Sequence, residues 1–192
     1  HPDKGGFILE DGGFGIVEMT MLAEPGTGEP FMEYMANARD LAGLVTLIHD
    51  HNVGTISWDG ERKQIDYQLS EADFPSMKRA IKAAARLHLA SGATEVYVPA
   101  SDRRIIRSED DIGDQVDSLE NEPQHLRMVS YHPQGTCRMG ADPLQSVVKA
   151  NGETHDVAGL YVADASLLPT SIIVNPQITV YALATRIARQ MA

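Results

Sequence analysis

Cysteine is almost absent. Cys137 is the single thiol in 192 residues, which excludes an internal disulfide framework and suits a reducing compartment. No apolar run approaches the roughly 18 residues of a membrane-spanning helix. Basic charge is also scarce: 16 Lys and Arg stand against 27 Asp and Glu, for a net charge of −11. Nucleic acid is therefore not expected as a partner, because neutralising phosphates requires a basic surface. The chain opens on His1-Pro2-Asp3-Lys4 without an initiator Met or the apolar core of a signal peptide. It reads as a piece of a longer polypeptide, with the cytoplasm as its expected location. His49 and His51 share a face of one strand with Asp50 opposite. No third ligand of suitable spacing accompanies them, so no metal site is expected.

What is present is ordinary for a soluble globular protein: 43% hydrophobic and 22% charged residues. The length allows one large domain or parts of two. Strands are expected over 6–10 and 16–22, separated by the glycine-rich turn at 11–15, with a loop at 25–28 and a helix over 29–41. The β-branched runs 44–48 and 54–58 read as strands. Asp59-Gly60 then turns the chain into a returning strand over 64–69. The strongest helix spans 74–90, capped by Ser70 or Asp73, with Pro75 in its first turn and Gly92 at its end. Its expected apolar face is Met77, Ile81, Ala84, Leu87 and His88. A strand over 94–98 and an acidic helix over 108–119, opened by Ser108, follow.

From residue 126 the character changes. Short strands are expected over 128–131 and 160–163, the latter of buried type. An amphipathic helix should run to about Met191 with Ile178, Tyr181, Ala182, Thr185 and Ala188 inward. Asn175-Pro176 opens this helix: Asn is a preferred cap, and Pro lacks an N–H that would be unpaired there anyway. The free N–H groups at Gln177 and Ile178 would attract negative charge, although nearly every helix needs such a start. His132 lies in a loop between Tyr131 and Pro133. Histidine titrates near neutral pH and can serve as a base, while most histidines do not. Asp164 ends the 160–163 strand and either accepts from cofactor hydroxyls or caps the turn that follows. Cys137 reads as a small buried residue, since no activating base is identifiable beside it.

Together these segments resemble the C-terminal signature of the glucose-methanol-choline (GMC) oxidoreductases. The motifs are His132-Pro-Gln-Gly-Thr-Cys-Arg-Met-Gly-Ala-Asp-Pro143, Ser146-Val-Val148, Gly159-Leu-Tyr-Val-Ala-Asp-Ala-Ser166, Pro169-Thr170 and Asn175-Pro-Gln-Ile-Thr179. A weaker resemblance to bacterial GMC enzymes and long-chain alcohol oxidases covers Gly54-Thr-Ile56, Ile65-Asp-Tyr-Gln-Leu69 and Ala90-Ser-Gly-Ala-Thr-Glu-Val96. The resemblance implies an α+β fold. Residues 1–125 would form a substrate-binding region with an antiparallel sheet and flanking helices. Residues 126–192 would hold the active-site loop and the C-terminal strand and helix of a Rossmann-like FAD-binding domain.

It also implies an FAD cofactor, covalent or not, and hydride transfer to it from an alcohol CH–OH. His132 corresponds to the active-site base and Asn175 to its partner. Asp164 and Ala165 would face the ribityl–phosphate part of the flavin, and Asn175, Pro176, Gln177 and Ile178 its pyrimidine edge. The apolar composition of 16–48 and the long-chain relatives point to an apolar alcohol. The Gly-x-Gly-x-x-Gly turn that cradles a dinucleotide pyrophosphate is missing, because Gly13-Phe-Gly15 and Gly26-Thr-Gly28 both continue differently. An N-terminal FAD-binding portion of the same enzyme is the implied partner. The rival readings are a GMC-fold lyase and a non-catalytic association module.

Overall fold

The computed structural model describes residues 6–13, 15, 28–122 and 125–191. The strand expected over 16–22 and the loop residues 25–27 lie outside the described residues. The chain divides into two compact units, His1–Met128 and Val129–Ala192.

In the first unit, the strands pair only in two-stranded antiparallel ladders among the described residues. Strand β1 (Phe7–Asp11) pairs with β2 (Leu44–Ile48) in the register Phe7↔Ile48 to Asp11↔Leu44. Helix α1 (Glu29–Ala36) is shorter than its sequence pattern suggests. Asn37 breaks it, and a 3₁₀ turn, Ala38–Asp40, takes over. Strands β3 (Thr55–Trp58) and β4 (Lys63–Asp66) form the expected hairpin, register Thr55↔Asp66 to Trp58↔Lys63. The turn has an acidic hub. Asp59 Oδ1 accepts the N–H groups of Glu61 and Arg62, each at 2.9 Å, and Gly60 bends at φ 104°. The backbone N–H of Arg62, then that of Glu61, pull the Asp59 carboxyl down to about 2. A third pair, β5 (Val96–Tyr97) with β6 (Ile105–Ile106), completes three separate two-stranded ladders among the described residues.

Helix α2 (Phe74–Ala90) organises this unit. It ends where Gly92, at φ 95°, lets Ala93 N–H reach the His88 carbonyl and Gly92 N–H reach that of Leu89. This is a Schellman stop. Phe74, Ile81 and Ala85 pack with Ile106 and with Ile112 and Val116 of α3 (Asp111–Asp117) in one buried cluster. Helix α3 begins inside the span read from sequence. Ser108 does not cap it: the N-cap is Asp110 and makes no side-chain cap bond, while the Asp111 carboxylate reaches back to accept the N–H and O–H of Ser108. Ile81 and Ala84 are buried as expected, but Leu87, also expected inward, is 48% exposed, because the buried side of α2 turns towards Ala80 and Ala85.

The second unit has little regular structure before α4 (Gln177–Met191). No strand forms over 128–131, since the pairing nearby stops at the single bridge Ala100↔Leu126. The expected buried strand over 160–163 reduces to one bridge, Glu153↔Tyr161, and Leu160 is half exposed. A strand needs a neighbour to pair with, and no ladder runs beside this segment among the described residues.

Neither Ser70 nor Asp73 caps α2 through its side chain to the helix. Asp73 instead collects donors: His51 N–H at 2.9 Å, His51 Nδ1 at 2.8 Å and Ser70 Oγ at 2.7 Å. Burial pushes this carboxyl up, but the hydrogen bonds from His51 and Ser70 and the His51 charge outweigh it, so it lies below the ordinary value. A depressed folded value contributes stability above the unfolded carboxyl range near 3.9. That contribution is lost as pH falls through the folded value. Asp73→Asn is expected to cost about 1–3 kcal/mol at neutral pH and to flatten the acid loss of stability. Urea unfolding at neutral and acid pH measures both; equal stability of the two proteins at neutral pH would contradict the role given to Asp73.

Candidate functional site

The second unit gathers the segments that carry the expected site residues. The loop over 132–140 is strung between two supports. On one side, Cys137 N–H donates to Ser166 O at 3.1 Å and Met139 N–H to Leu167 O at 2.9 Å. On the other, Gly140 N–H donates to Val148 O at 2.9 Å and Val147 N–H to Arg138 O at 3.0 Å. Gly135 turns the loop at φ 86° and lies close to the Leu168 carbonyl. His132 stands at the start of this loop, half-buried. Two residues on, Gln134 Oε1 is buried with no hydrogen-bond partner among the described residues. Such orphans are rare in folded proteins.

Asp164 precedes the 3₁₀ turn Ala165–Leu167, and its Oδ1 accepts Ser166 N–H at 2.8 Å and Ser166 Oγ. Of the two readings open for Asp164 in the sequence, turn capping is therefore in place. Leu167 is fully buried, and Ala165 half-buried beside it.

Asn175-Pro176 stands immediately before α4. Pro176 is buried, and its carbonyl accepts Val180 N–H at 2.8 Å. The first N–H groups of an α-helix have no acceptor within the helix. Here those of Gln177 and Ile178 belong to residues whose side chains are exposed. The helix face differs from the one expected. Ile178 is 76% and Tyr181 59% exposed, and both line an open groove with Ala182, Thr185, Arg186 and Arg189. The side that packs is Leu183 and Ile187. Ala188, also expected inward, is exposed.

Val148, Leu167 and Ile187 make the small core of this unit. Val148 backs the His132 loop, Leu167 backs the Asp164–Ala165 turn, and Ile187 belongs to the helix opened by Asn175-Pro176. One cluster thus supports all three segments. Gly152 makes it possible. At φ 82°, a Cβ there would meet Ile187 Cδ1 at 2.6 Å and the Val162 carbonyl at 2.9 Å. Sequence reading passed over Gly152, although Asn151-Gly152 is a recognisable turn dipeptide. It also passed over Gln134 and Ile173, for which it holds no signal.

Four other histidines make local contacts. His51 bonds Asp73, His125 Nε2 meets Asp102 at 3.1 Å and His155 Nε2 meets Ser146 Oγ at 3.0 Å. His49 stacks edge-on to His51 at 4.6 Å between ring centroids. Among the described residues no group of three or more His, Cys, Asp or Glu is placed to hold a metal ion. Among the same residues no helix is long and apolar enough to cross a membrane.

Comparison with known proteins supplies the lineage. Residues 50–184 match the family described as GMC oxidoreductase. An uncharacterized GMC-type oxidoreductase of Mycobacterium tuberculosis is 30% identical over 172 residues, 90% of this chain and 27% of that protein. A long-chain-alcohol oxidase of Arabidopsis thaliana is 31% identical over 199 residues, covering 96% of this chain and 26% of the relative. The crystal structure of pyridoxine 4-oxidase from Mesorbium loti superposes on 78% of this chain and 29% of its own, at a TM-score of 0.53 and 27% identity. The chain thus spans about a quarter of the length of the curated relatives it matches.

Gly152→Ala is expected to lift α4 from its seat and cost roughly 2–3 kcal/mol, from a positive φ and an overfilled contact. Hydrogen exchange of the variant should quicken in α4 and leave α2 unchanged; unaltered exchange in α4 would contradict the seating described.

Proposed function

The chain belongs to the GMC oxidoreductase family, and from that premise we propose that it carries the substrate side and the flavin-facing half-site of an FAD-dependent alcohol oxidase or dehydrogenase. The observation that carries this reading is the single cluster Val148, Leu167 and Ile187, which holds the His132 loop, the Asp164–Ala165 turn and the helix opened by Asn175-Pro176 as one unit. Relatives named long-chain-alcohol oxidase support an alcohol CH–OH donor of apolar character.

The residues present suit the isoalloxazine end of FAD. The first N–H groups of the helix, here those of Gln177 and Ile178, have no acceptor within the helix itself, a favourable setting for negative charge. The orphaned Gln134 Oε1 adds a buried acceptor that wants a donor. Asp164 and Ala165 are assigned to the ribityl–phosphate part. The pyrophosphate cradle is not among these residues, since no Gly-x-Gly-x-x-Gly turn occurs. We assign that cradle to an FAD-binding portion N-terminal to this segment in the same enzyme, acting in the cytoplasm. The exposed Ile178 and Tyr181 in the first turns of α4 support such a partner, because exposed apolar side chains grouped on one face suit an interaction surface. Residues 1–125 are assigned to the substrate side.

When bound, FAD supplies the two-electron acceptor for the hydrogen leaving the carbinol carbon. The chain's own part is proton handling and orientation. His132 accepts the hydroxyl proton at a ring nitrogen, which raises electron density on the oxygen as the C–H bond breaks. The Asn175 amide donates to the same oxygen and fixes its position.

In the FAD-loaded enzyme containing this segment, His132→Ala is expected to lower kcat by more than about 10²-fold. Steady-state turnover with a long-chain alcohol measures it, and unchanged turnover removes His132 from the mechanism. The 192-residue chain by itself is expected to hold no FAD through gel filtration and to oxidise no alcohol. A bound yellow flavin that bleaches with alcohol would overturn the half-site reading.

A further inference from the structure

Ile173 is the one non-glycine residue at positive φ among the described residues, at 64°. A β-branched side chain is the least suited to this left-handed region. Its neighbours close a three-residue turn: Val174 N–H donates to the Ile172 carbonyl at 2.7 Å. With φ positive at the central residue, this γ-turn has the rare and strained hand. A conformation of this kind persists only where the surroundings over-determine it, and such positions concentrate at functional sites.

The surroundings here are visible. Upstream, Leu167 and Leu168 are buried. Downstream, Pro176 is buried and α4 is held through Ile187 against Gly152. Between these two anchors the chain turns tightly at Ile173, two residues before Asn175. The hand of the turn sets the direction in which the backbone enters Asn175-Pro176.

We propose that the strained turn at Ile173 is a positioning device for Asn175, imposing the backbone direction that points the Asn175 amide at the substrate oxygen. Ile173 touches no reacting atom in this account; it acts through Asn175. The proposal rests on the role given to Asn175 above.

The test uses the complete FAD-loaded enzyme and five variants. Ile173→Gly tolerates positive φ and is expected to keep kcat within about threefold. Ile173→Pro locks φ near −65° and forces the mirror turn. It is expected to lower kcat by on the order of 10²-fold, like Asn175→Ala, while KM moves less than about threefold and FAD stays bound. Val174→Pro attacks the same turn independently, by deleting the N–H that closes it and disfavouring the conformation of Ile173. It is expected to match Ile173→Pro and keeps the test open if that variant does not fold.

In the double variant Ile173→Pro with Asn175→Ala, the loss should not exceed that of Asn175→Ala by more than about threefold, because a positioning residue has nothing left to position. Full activity of the two proline variants, losses that multiply with Asn175→Ala, or an Ile173→Gly loss as large as that of Asn175→Ala would each overturn the proposal. If Asn175→Ala itself leaves turnover intact, the role of Asn175 falls first and the proposal with it, an outcome distinct from the others.

Discussion

The packing of Ile187 against Gly152 is the contact on which the second unit depends. A helix can approach a turn this closely only where the turn lacks a Cβ, and the turn can adopt φ 82° without strain only at glycine. Through that contact α4 is brought onto Val148 and Leu167, and with it the helix start at Asn175-Pro176. The His132 loop and the Asp164–Ala165 turn are tied to the same cluster by backbone hydrogen bonds from Cys137, Met139 and Gly140. A unit with so little regular structure keeps three site segments in register because a few buried side chains and main-chain bonds fix each of them.

The first unit is held differently. Helix α2 supplies a long apolar side, α3 and the β5–β6 ladder close over it, and the β1–β2 and β3–β4 ladders each pair only with themselves. The β3–β4 hairpin leaves Ile56, Trp58 and Ile65 exposed on one face. Two-stranded ladders are marginal alone. Among the described residues each ladder of this unit stays two-stranded.

Local chemistry was the readable part of the sequence. The bounds of α2, its Schellman stop at Gly92 and the turn at Asp59-Gly60 all rest on contacts within a few residues, which spacing encodes directly. Long-range choices were not readable. The apolar pattern of α4 is compatible with either side inward, and the side that packs is decided by Gly152 and Val148, far off in sequence. The 160–163 segment has strand composition, yet pairing needs a neighbour that composition cannot supply. Asp73 has the position of a helix cap, but His51 draws its carboxylate elsewhere. At the site, His132, Asp164 and Asn175 were legible as candidates from local chemistry, and the resemblance supplied their roles. The strained hand at Ile173 was invisible, because nothing in Ile172-Ile173-Val174 signals a turn of positive φ.

On the proposed reading, the helix start at Asn175-Pro176 and the loop of His132 face a flavin that takes the hydrogen of an alcohol. The most direct measurement is anaerobic mixing of the complete FAD-loaded enzyme with a long-chain alcohol, following the visible absorbance of the flavin and the carbonyl product together. The account predicts bleaching of the flavin in step with one equivalent of carbonyl. Consumption of the substrate with the flavin still oxidised would contradict it and point to a lyase built on the same fold.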